Sequence, residues 1–290
     1  SVISIYEEPE LGKTITEKKI PKKQQNINKK NYHLITNEKE IDEWISEAEE
    51  TGELAIDTET SSLNAHQADL VGISLSTKIG KACYIPIGHK SEGCLKKEAV
   101  IKKLKPLLED NSVKKIGQNI KFDFIVLYKQ GVNMNSLEDT MLMSYVLDAG
   151  KNRHNMDILS EIHLQHKTIS FKEIVGTGKK EINFSDVELN KAMEYAAEDA
   201  DITYRLYKIF SKNLKLEKLT NIYEIFEKPL IKILAFMEIE GIKIDNKFLK
   251  VLSEKFEKKI NKLAKEVFKI SKKEFNIASP KQLGEIIYND

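Results

Sequence analysis

Two acids stand two residues apart in the stretch Leu54-Ala55-Ile56-Asp57-Thr58-Glu59-Thr60. Side chains alternate between the faces of a strand, so Asp57 and Glu59 project from one side while Leu54 and Ile56 anchor the other in a core. Like charges held this close repel, and a hard, oxygen-seeking cation such as Mg²⁺ or Mn²⁺ between them relieves the cost. A strand end running into a polar loop accounts for the same residues without a metal. A second stretch, Gly117-Gln118-Asn119-Ile120-Lys121-Phe122-Asp123, leads into the apolar run Phe124-Ile125-Val126-Leu127-Tyr128. Asn119 is a natural helix N-cap there, and Asp123 falls in the first turn, where the helix dipole favours negative charge. From that corner Asp123 can complete a metal site begun by Asp57, although a capped helix with an early acid needs no such role. The third stretch is Tyr195-Ala196-Ala197-Glu198-Asp199-Ala200-Asp201. Tyr195 and Asp199 are four apart and share one helix face. The alanines between them permit close approach to other structure, and Glu198 and Asp201 are expected to face solvent or to serve as caps.

Four carboxylates and a tyrosine from three separate stretches suit phosphodiester cleavage by two metal ions. Two divalent ions roughly 3.5–4 Å apart clamp the attacking and leaving oxygens of an in-line displacement. Several anionic ligands are needed, at least one touching both ions, and Tyr195 can orient the attacking water.

The elements that must position this set follow from periodicity. Tyr32 to Thr36 reads as a first strand. Asn37, three before Glu40, has capping-box spacing and opens a helix with Ile41, Trp44, Ile45 and Ala48 on one stripe. The acidic strand comes next, then strands at Leu70 to Ser76 and Cys83 to Ile87. A helix from Lys96 to Leu108 buries Val100, Leu104, Leu107 and Leu108, and Val113 to Gly117 is a further strand. Asp139 to Leu147 and Met156 to Leu164 read as short helices, joined by the polar loop Gly150-Lys151-Asn152-Arg153-His154. Ile169 to Val175 is a short apolar element with Phe171 exposed, followed by a mobile-looking loop from Gly176 to Lys180 whose glycine spacing excludes a P-loop. His163 and His166 are expected at the surface. A long helix spans Val187 to about Leu214. Beyond Leu219 the pattern is almost wholly helical. Ile222, Ile225, Phe226, Leu230, Ile233, Leu234 and Met237 mark one amphipathic face ended by Gly241. A lysine- and glutamate-rich helix runs from about Lys247 to Lys273, and Ser279-Pro280-Lys281 opens a last one. Strands followed by alternating helices imply an α/β mixed sheet flanked by helices.

Composition narrows the class. The chain has 290 residues, with 46 basic and 45 acidic side chains and a net charge of +1, so a polyanion partner must be recognised by local patches. No apolar run approaches the roughly 18–20 residues that span a bilayer, and no signal peptide opens the chain. Cys83 and Cys94 lack metal-ligand spacing and are expected reduced in a cytoplasmic protein. Residues 1–31, with lysine pairs and no apolar face, read as a flexible basic linker.

Taken in order, Asp-Thr-Glu-Thr, Asn-x-x-x-Asp and Tyr-x-x-x-Asp resemble the three exonuclease motifs of the DEDD superfamily of 3′–5′ exonucleases. A tyrosine four before the last acid, with Glu194 where the other subclass has histidine, marks the tyrosine subclass. From about Tyr32 onward the chain resembles the proofreading domain of bacterial family A DNA polymerases, continuing into the polymerase domain. The likeness is carried by Asp-Leu-Val-Gly-Ile-Ser (69–74), Tyr-Ile-Pro-Ile (84–87), His-Lys-Thr-Ile-Ser-Phe (166–171), Gly-Ile-Lys-Ile-Asp (241–245) and Ser-Pro-Lys-Gln-Leu (279–283).

The resemblance implies a ribonuclease H-like fold with a helical C-terminal extension. Residues 32–217 would form the exonuclease domain and 218–290 the helical start of a truncated polymerase domain without its nucleotide-binding motifs. It implies two divalent ions, Mg²⁺ or Mn²⁺, one held by Asp57, Glu59 and Asp199 and the other by Asp57 with Asp123. Tyr195 and Glu59 would position the attacking water. Leu63 would wedge against terminal bases and Phe171 would stack on one. Thr58, Asn119, Phe122 and Arg153 would contact the strand, Phe122 standing where the family often has tyrosine. The implied partners are a single-stranded DNA 3′ end and the polymerase domain of the same chain. The protein is expected to be a monomer in the bacterial cytoplasm without membrane contact. The competing expectations are a ribonuclease D-like enzyme acting on RNA and a catalytically inert exonuclease-like module.

Overall fold

A computed structural model describes Ile27 and residues 31–288. The expected basic linker therefore lies outside the described residues, apart from Ile27 and Asn31. Six strands form one mixed sheet: β1 (Tyr32–Leu34), β2 (Glu53–Thr60), β3 (Leu70–Lys78), β4 (Lys81–Pro86), β5 (Lys114–Gly117) and β6 (Leu137–Asp139). Their spatial order is β1-β4-β3-β2-β5-β6. The meander β2–β3–β4 is antiparallel, whereas β1 pairs with β4, β5 with β2, and β6 with β5 in parallel. The acidic strand β2 is therefore central, with neighbours on both sides.

The alternation along β2 decides which layer each residue meets. Leu54 and Ile56 join a core with Ile41 and Trp44 of α1 (Glu40–Thr51), Leu104 and Leu108 of α2 (Lys97–Glu109), and Phe124 and Leu127 of α3 (Lys121–Tyr128). Ala55 points the other way. It packs with Met143 of α4 (Thr140–Asp148), Leu159 of α5 (Met156–Leu164), and Ile202, Leu206 and Phe210 of α7 (Leu189–Leu216). The five-residue α6 (Phe171–Val175) precedes α7. Helix–sheet–helix layering thus follows directly from the strand period.

After α7 come α8 (Thr220–Ile222), a π-helical turn (Tyr223–Glu227) and α9 (Lys228–Glu240). The first compact unit continues to Ile239, and a second runs from Glu240 to the end of the described residues. The second contains α10 (Asn246–Ser271), capped by Asp245, and α11 (Pro280–Tyr288). Neither helix holds a buried residue. Among the described residues, no helix is long and apolar enough to cross a membrane.

Several local expectations are corrected. Asn37 does not cap α1: its Oδ1 accepts from Lys39 N in a turn of its own, and the cap residue Lys39 makes no side-chain bond. Asp139 ends a strand that periodicity did not reveal and caps α4, since three residues are too few for a pattern. The Gly176–Lys180 loop contains a short 3₁₀ turn at Gly178–Lys180. The stripe from Ile222 to Met237 faces outward; Tyr223, Ile231 and Ala235 are buried instead.

One glycine next to the acidic strand is dictated by packing. Gly72 pairs with Glu59, and a Cβ there would lie 2.1 Å from the Tyr84 hydroxyl oxygen. The buried Tyr84 ring occupies that space, and its hydroxyl meets His89 Nε2 at 2.7 Å. Gly72→Ala must displace this ring and should lower stability by about 1–3 kcal/mol, read as a shifted urea midpoint at unchanged slope.

Candidate active site

Strand β2 and helix α7 bring the first and third motifs together. One oxygen from each of Asp57, Glu59 and Asp199 lies within 4.8 Å of the other two. Helix α7 reaches the strand so closely because it presents Ala196, Ala197 and Ala200, all fully buried, around Asp199. Asp123 stands in the first turn of α3, as its spacing implied. It does not join the tight trio. Its Oδ1 accepts from Thr58 N at 2.9 Å and from Thr58 Oγ1 at 2.6 Å, so it is fastened to the residue between the two β2 acids.

Burial sets the electrostatics. It pushes the Asp57 carboxyl up to about 6. Burial raises Glu59 well above the ordinary carboxylate range, and the charges of Asp57, Asp199 and Asp123 add to it. Asp123 and Asp199 are raised by burial and then by the Asp57 charge, against hydrogen bonds from Thr58 and Tyr195 respectively. The Tyr195 hydroxyl is itself raised far above its usual value, by burial first and then by Asp199, Glu59 and Asp57, and stays protonated. Glu59 Oε1 is buried without a hydrogen-bond partner. A buried acceptor with no donor, inside a set of mutually repelling carboxylates, fits a hard cation with oxygen ligands. The residues present therefore suit divalent metal.

The other expected residues divide. Phe171 is 42% exposed, stacks on Phe184 with centroids 6.1 Å apart, and meets the Tyr195 ring edge-on at the same distance. Leu63, 93% exposed, lies on the loop that follows β2. Arg153 is exposed in the turn between α4 and α5, and Phe122 is half-buried against the main core. Thr58 is buried with its hydroxyl given to Asp123. Asn119 is not the helix cap. It sits at φ 60°, Ile120 takes the cap position, and the amides of both donate to the Asp139 carboxylate.

Two expectations about neighbouring acids are overturned. Glu198 and Asp201 are fully buried. Glu198 accepts from His166 Nε2 at 2.8 Å and from Ile169 N at 2.7 Å, which ties the segment before Phe171 to α7. His166 is correspondingly buried, not at the surface. Asp201 accepts from the Tyr32 hydroxyl, Gly80 N and Arg205, holding β1 and the β3–β4 turn. A helix buried on every side from Ala196 to Tyr204 must place its polar side chains inward, where partners have to be supplied. The run of small residues was the available signal. Phe184, the buried ring beneath Phe171 and Tyr195, carried none.

Comparison with known proteins agrees with this geometry. The 3′–5′ exonuclease family profile matches residues 32–215. DNA polymerase I of Rhizobium leguminosarum is 42% identical over 269 residues, covering 86% of this chain and 26% of that protein. DNA polymerase I of Pseudomonas aeruginosa is 38% identical over 265 residues, covering 89% of this chain and 29% of that protein. This chain thus spans between a quarter and a third of the length of these relatives. A solved structure of Brucella melitensis NrnC aligns with a TM-score of 0.54 at 23% identity, over 67% of this chain and 88% of that one, a likeness of fold.

The raised carboxyls fix a pH dependence. Their stabilising effect is complete below the ordinary carboxyl pKa near 4 and is lost as pH rises through the folded value, about 6 for Asp57. EDTA-treated protein should therefore melt at progressively lower temperature between about pH 5 and about pH 8. Added Mg²⁺ or Mn²⁺ should raise the melting temperature more at the upper pH than at the lower, measured by differential scanning fluorimetry.

Proposed function

The chain belongs to the 3′–5′ exonuclease family as the exonuclease portion of a DNA polymerase I, and from that premise we propose that it removes nucleotides from single-stranded or frayed DNA 3′ ends with divalent metal, which is proofreading. The observation that carries this reading is the meeting of Asp57, Glu59 and Asp199 in one cluster, with Glu59 Oε1 left partnerless. Asp57, Glu59 and Asp199 would hold one ion, and Asp57 with Asp123 a second, Mg²⁺ or Mn²⁺. Bound there, the ions supply positive charge for the phosphodiester in its transition state and lower the pKa of a coordinated water.

The chain's own residues do the rest. The Tyr195 hydroxyl, protonated at any working pH, holds the attacking water by a hydrogen bond on the side of Asp199. Glu59 accepts from the same water. Thr58 keeps Asp123 directed toward the β2 acids and so sets the spacing of the carboxylates. The exposed ring of Phe171 and the exposed Leu63 offer apolar surface to terminal bases, whose π-faces stack without regard to sequence. Asn119, Phe122 and Arg153 would contact the strand. Residues 32–217 form the exonuclease domain in this reading, and 218–290 lead into the polymerase portion of the same chain, its partner in handling the primer. The intact set of four acids and the tyrosine weighs against an inert module.

Digestion of 5′-labelled and 3′-labelled single-stranded oligonucleotides tests the proposal. Mn²⁺ or Mg²⁺ should give a 5′-labelled ladder shortening from the 3′ end, abolished by EDTA. Asp57→Asn with Glu59→Gln should slow it by on the order of 10³-fold or more at unchanged fold. Clean, folded wild-type protein that leaves DNA intact with either metal would sink the reading, and preferential cleavage of RNA would redirect it.

A further inference from the structure

Asp123 is held from two directions. One is the Thr58 clamp. The other lies at the start of α3, where the chain leaves β5, passes through Asn119 at a left-handed φ of 60°, and turns into the helix. Position 117 pairs with Asp139 across β5 and β6, so the end of β6 lies beside this turn. Asp139 Oδ1 accepts from Asn119 N at 3.1 Å and Oδ2 from Ile120 N at 3.0 Å. The same Oδ1 accepts from Met141 N and Leu142 N, the first turn of α4. Thr140 completes the grip, its hydroxyl within reach of Gly117 O and of Gln118 Oε1. A single carboxylate thus satisfies donors at the beginnings of two helices.

The carboxylate is itself held from outside. β6 is an edge strand, and its outward Asp139 N–H donates to the Tyr223 hydroxyl at 2.9 Å. That hydroxyl donates in turn to Glu138 Oε2 at 3.0 Å, and Lys228 Nζ takes Glu138 Oε1 at 2.6 Å. Tyr223 is buried, and it lies beyond residue 215, where the exonuclease match ends. The following helical segment therefore reaches back through Tyr223, Asp139 and the α3 turn to a residue of the acid set.

We propose that Asp139 is a positioning residue for the exonuclease reaction, fixing Asp123 by anchoring the first turn of α3, with Tyr223 of the following segment holding Asp139 in place. The inference rests on the metal-dependent reading of the acid set. Loss of the anchor lets the α3 turn relax from its left-handed entry, so Asp123 moves relative to Asp57. Misplacement of a reacting group by about 1 Å costs on the order of 10²-fold in rate. DNA contacts made elsewhere are untouched.

The test compares Asp139→Asn and Tyr223→Phe with wild type in two readouts: Mn²⁺ binding by electron paramagnetic resonance, and single-turnover cleavage of an oligonucleotide across Mn²⁺ concentrations. Asp139→Asn is nearly isosteric but sets an amide N–H against a backbone N–H. The expected result is weaker Mn²⁺ binding and a rate roughly ten- to a hundredfold lower, at unchanged oligonucleotide KM, partly recovered at high Mn²⁺. Tyr223→Phe, which keeps the packed ring, should move both readouts the same way by a smaller factor. In an Asp123→Asn background, Asp139→Asn should weaken Mn²⁺ binding no further, because it acts through Asp123. Unchanged Mn²⁺ binding and rate in folded Asp139→Asn overturns the proposal. So does a rate loss that Mn²⁺ cannot recover, which marks general damage. If Asp139→Asn does not fold, Tyr223→Phe decides on the same criteria. If wild type binds Mn²⁺ yet cleaves nothing, the functional reading fails by itself, and the binding comparison still judges Asp139.

Discussion

Burial of four neighbouring carboxylates that repel one another is the constraint on which the rest of this structure depends. Asp57, Glu59, Asp123 and Asp199 are raised first by burial, and the Asp57 charge then acts on each of the other three. A shift of one pKa unit corresponds to about 1.4 kcal/mol, so several raised groups represent a substantial load on a fold of ordinary marginal stability. The surrounding architecture carries that load. β2 is paired on both sides, its apolar residues are buried on both faces, and α7 lies against it through alanines.

Not every buried acid takes part, and hydrogen bonding separates the two kinds. Asp139, Glu198 and Asp201 are as deeply buried as the acid set, yet each is met by backbone amides together with side-chain or further backbone donors. They act as fixings: Asp139 for α3 and α4, Glu198 for the segment leading to Phe171, Asp201 for β1 and the β3–β4 turn. Glu59 retains a buried oxygen with no donor at all. That partnerless oxygen is where a cation or substrate belongs. The aromatic layer follows the same division, with Phe184 buried as a base beneath the partly exposed Phe171 and Tyr195.

The polar line from Lys228 and Tyr223 through β6 to α3 gives the helical segment after α7 a second consequence. Its buried residues, Tyr223, Ile231 and Ala235, pack on the sheet unit, while Ile225, Phe226 and Met237 remain exposed. The segment is therefore joined to the exonuclease fold by one face and by charge pairs such as Lys121–Glu238. The surface of the acid-bearing unit is completed by residues outside the family match.

The acid set was legible in the sequence because period two in a strand and period four on a helix assign side chains to faces wherever the segment lies. Those rules put Asp57 with Glu59 and Tyr195 with Asp199, and motif order joined them to Asp123. The same rules recovered the amphipathic helices and the long α7. They failed where the answer depended on what sits across a gap. Glu198 and Asp201 read as solvent-facing or as caps, because one helix cannot reveal that it is enclosed on every side. Asn119 read as the cap of α3, although the capping oxygen comes from Asp139, 20 residues on. The apolar stripe from Ile222 to Met237 faces outward, because periodicity marks an apolar face without saying what packs on it. Local spacing, then, determined which residues could do chemistry; only tertiary structure decided which buried acids are satisfied and which are not, since hydrogen-bond donors arrive from segments remote in the chain.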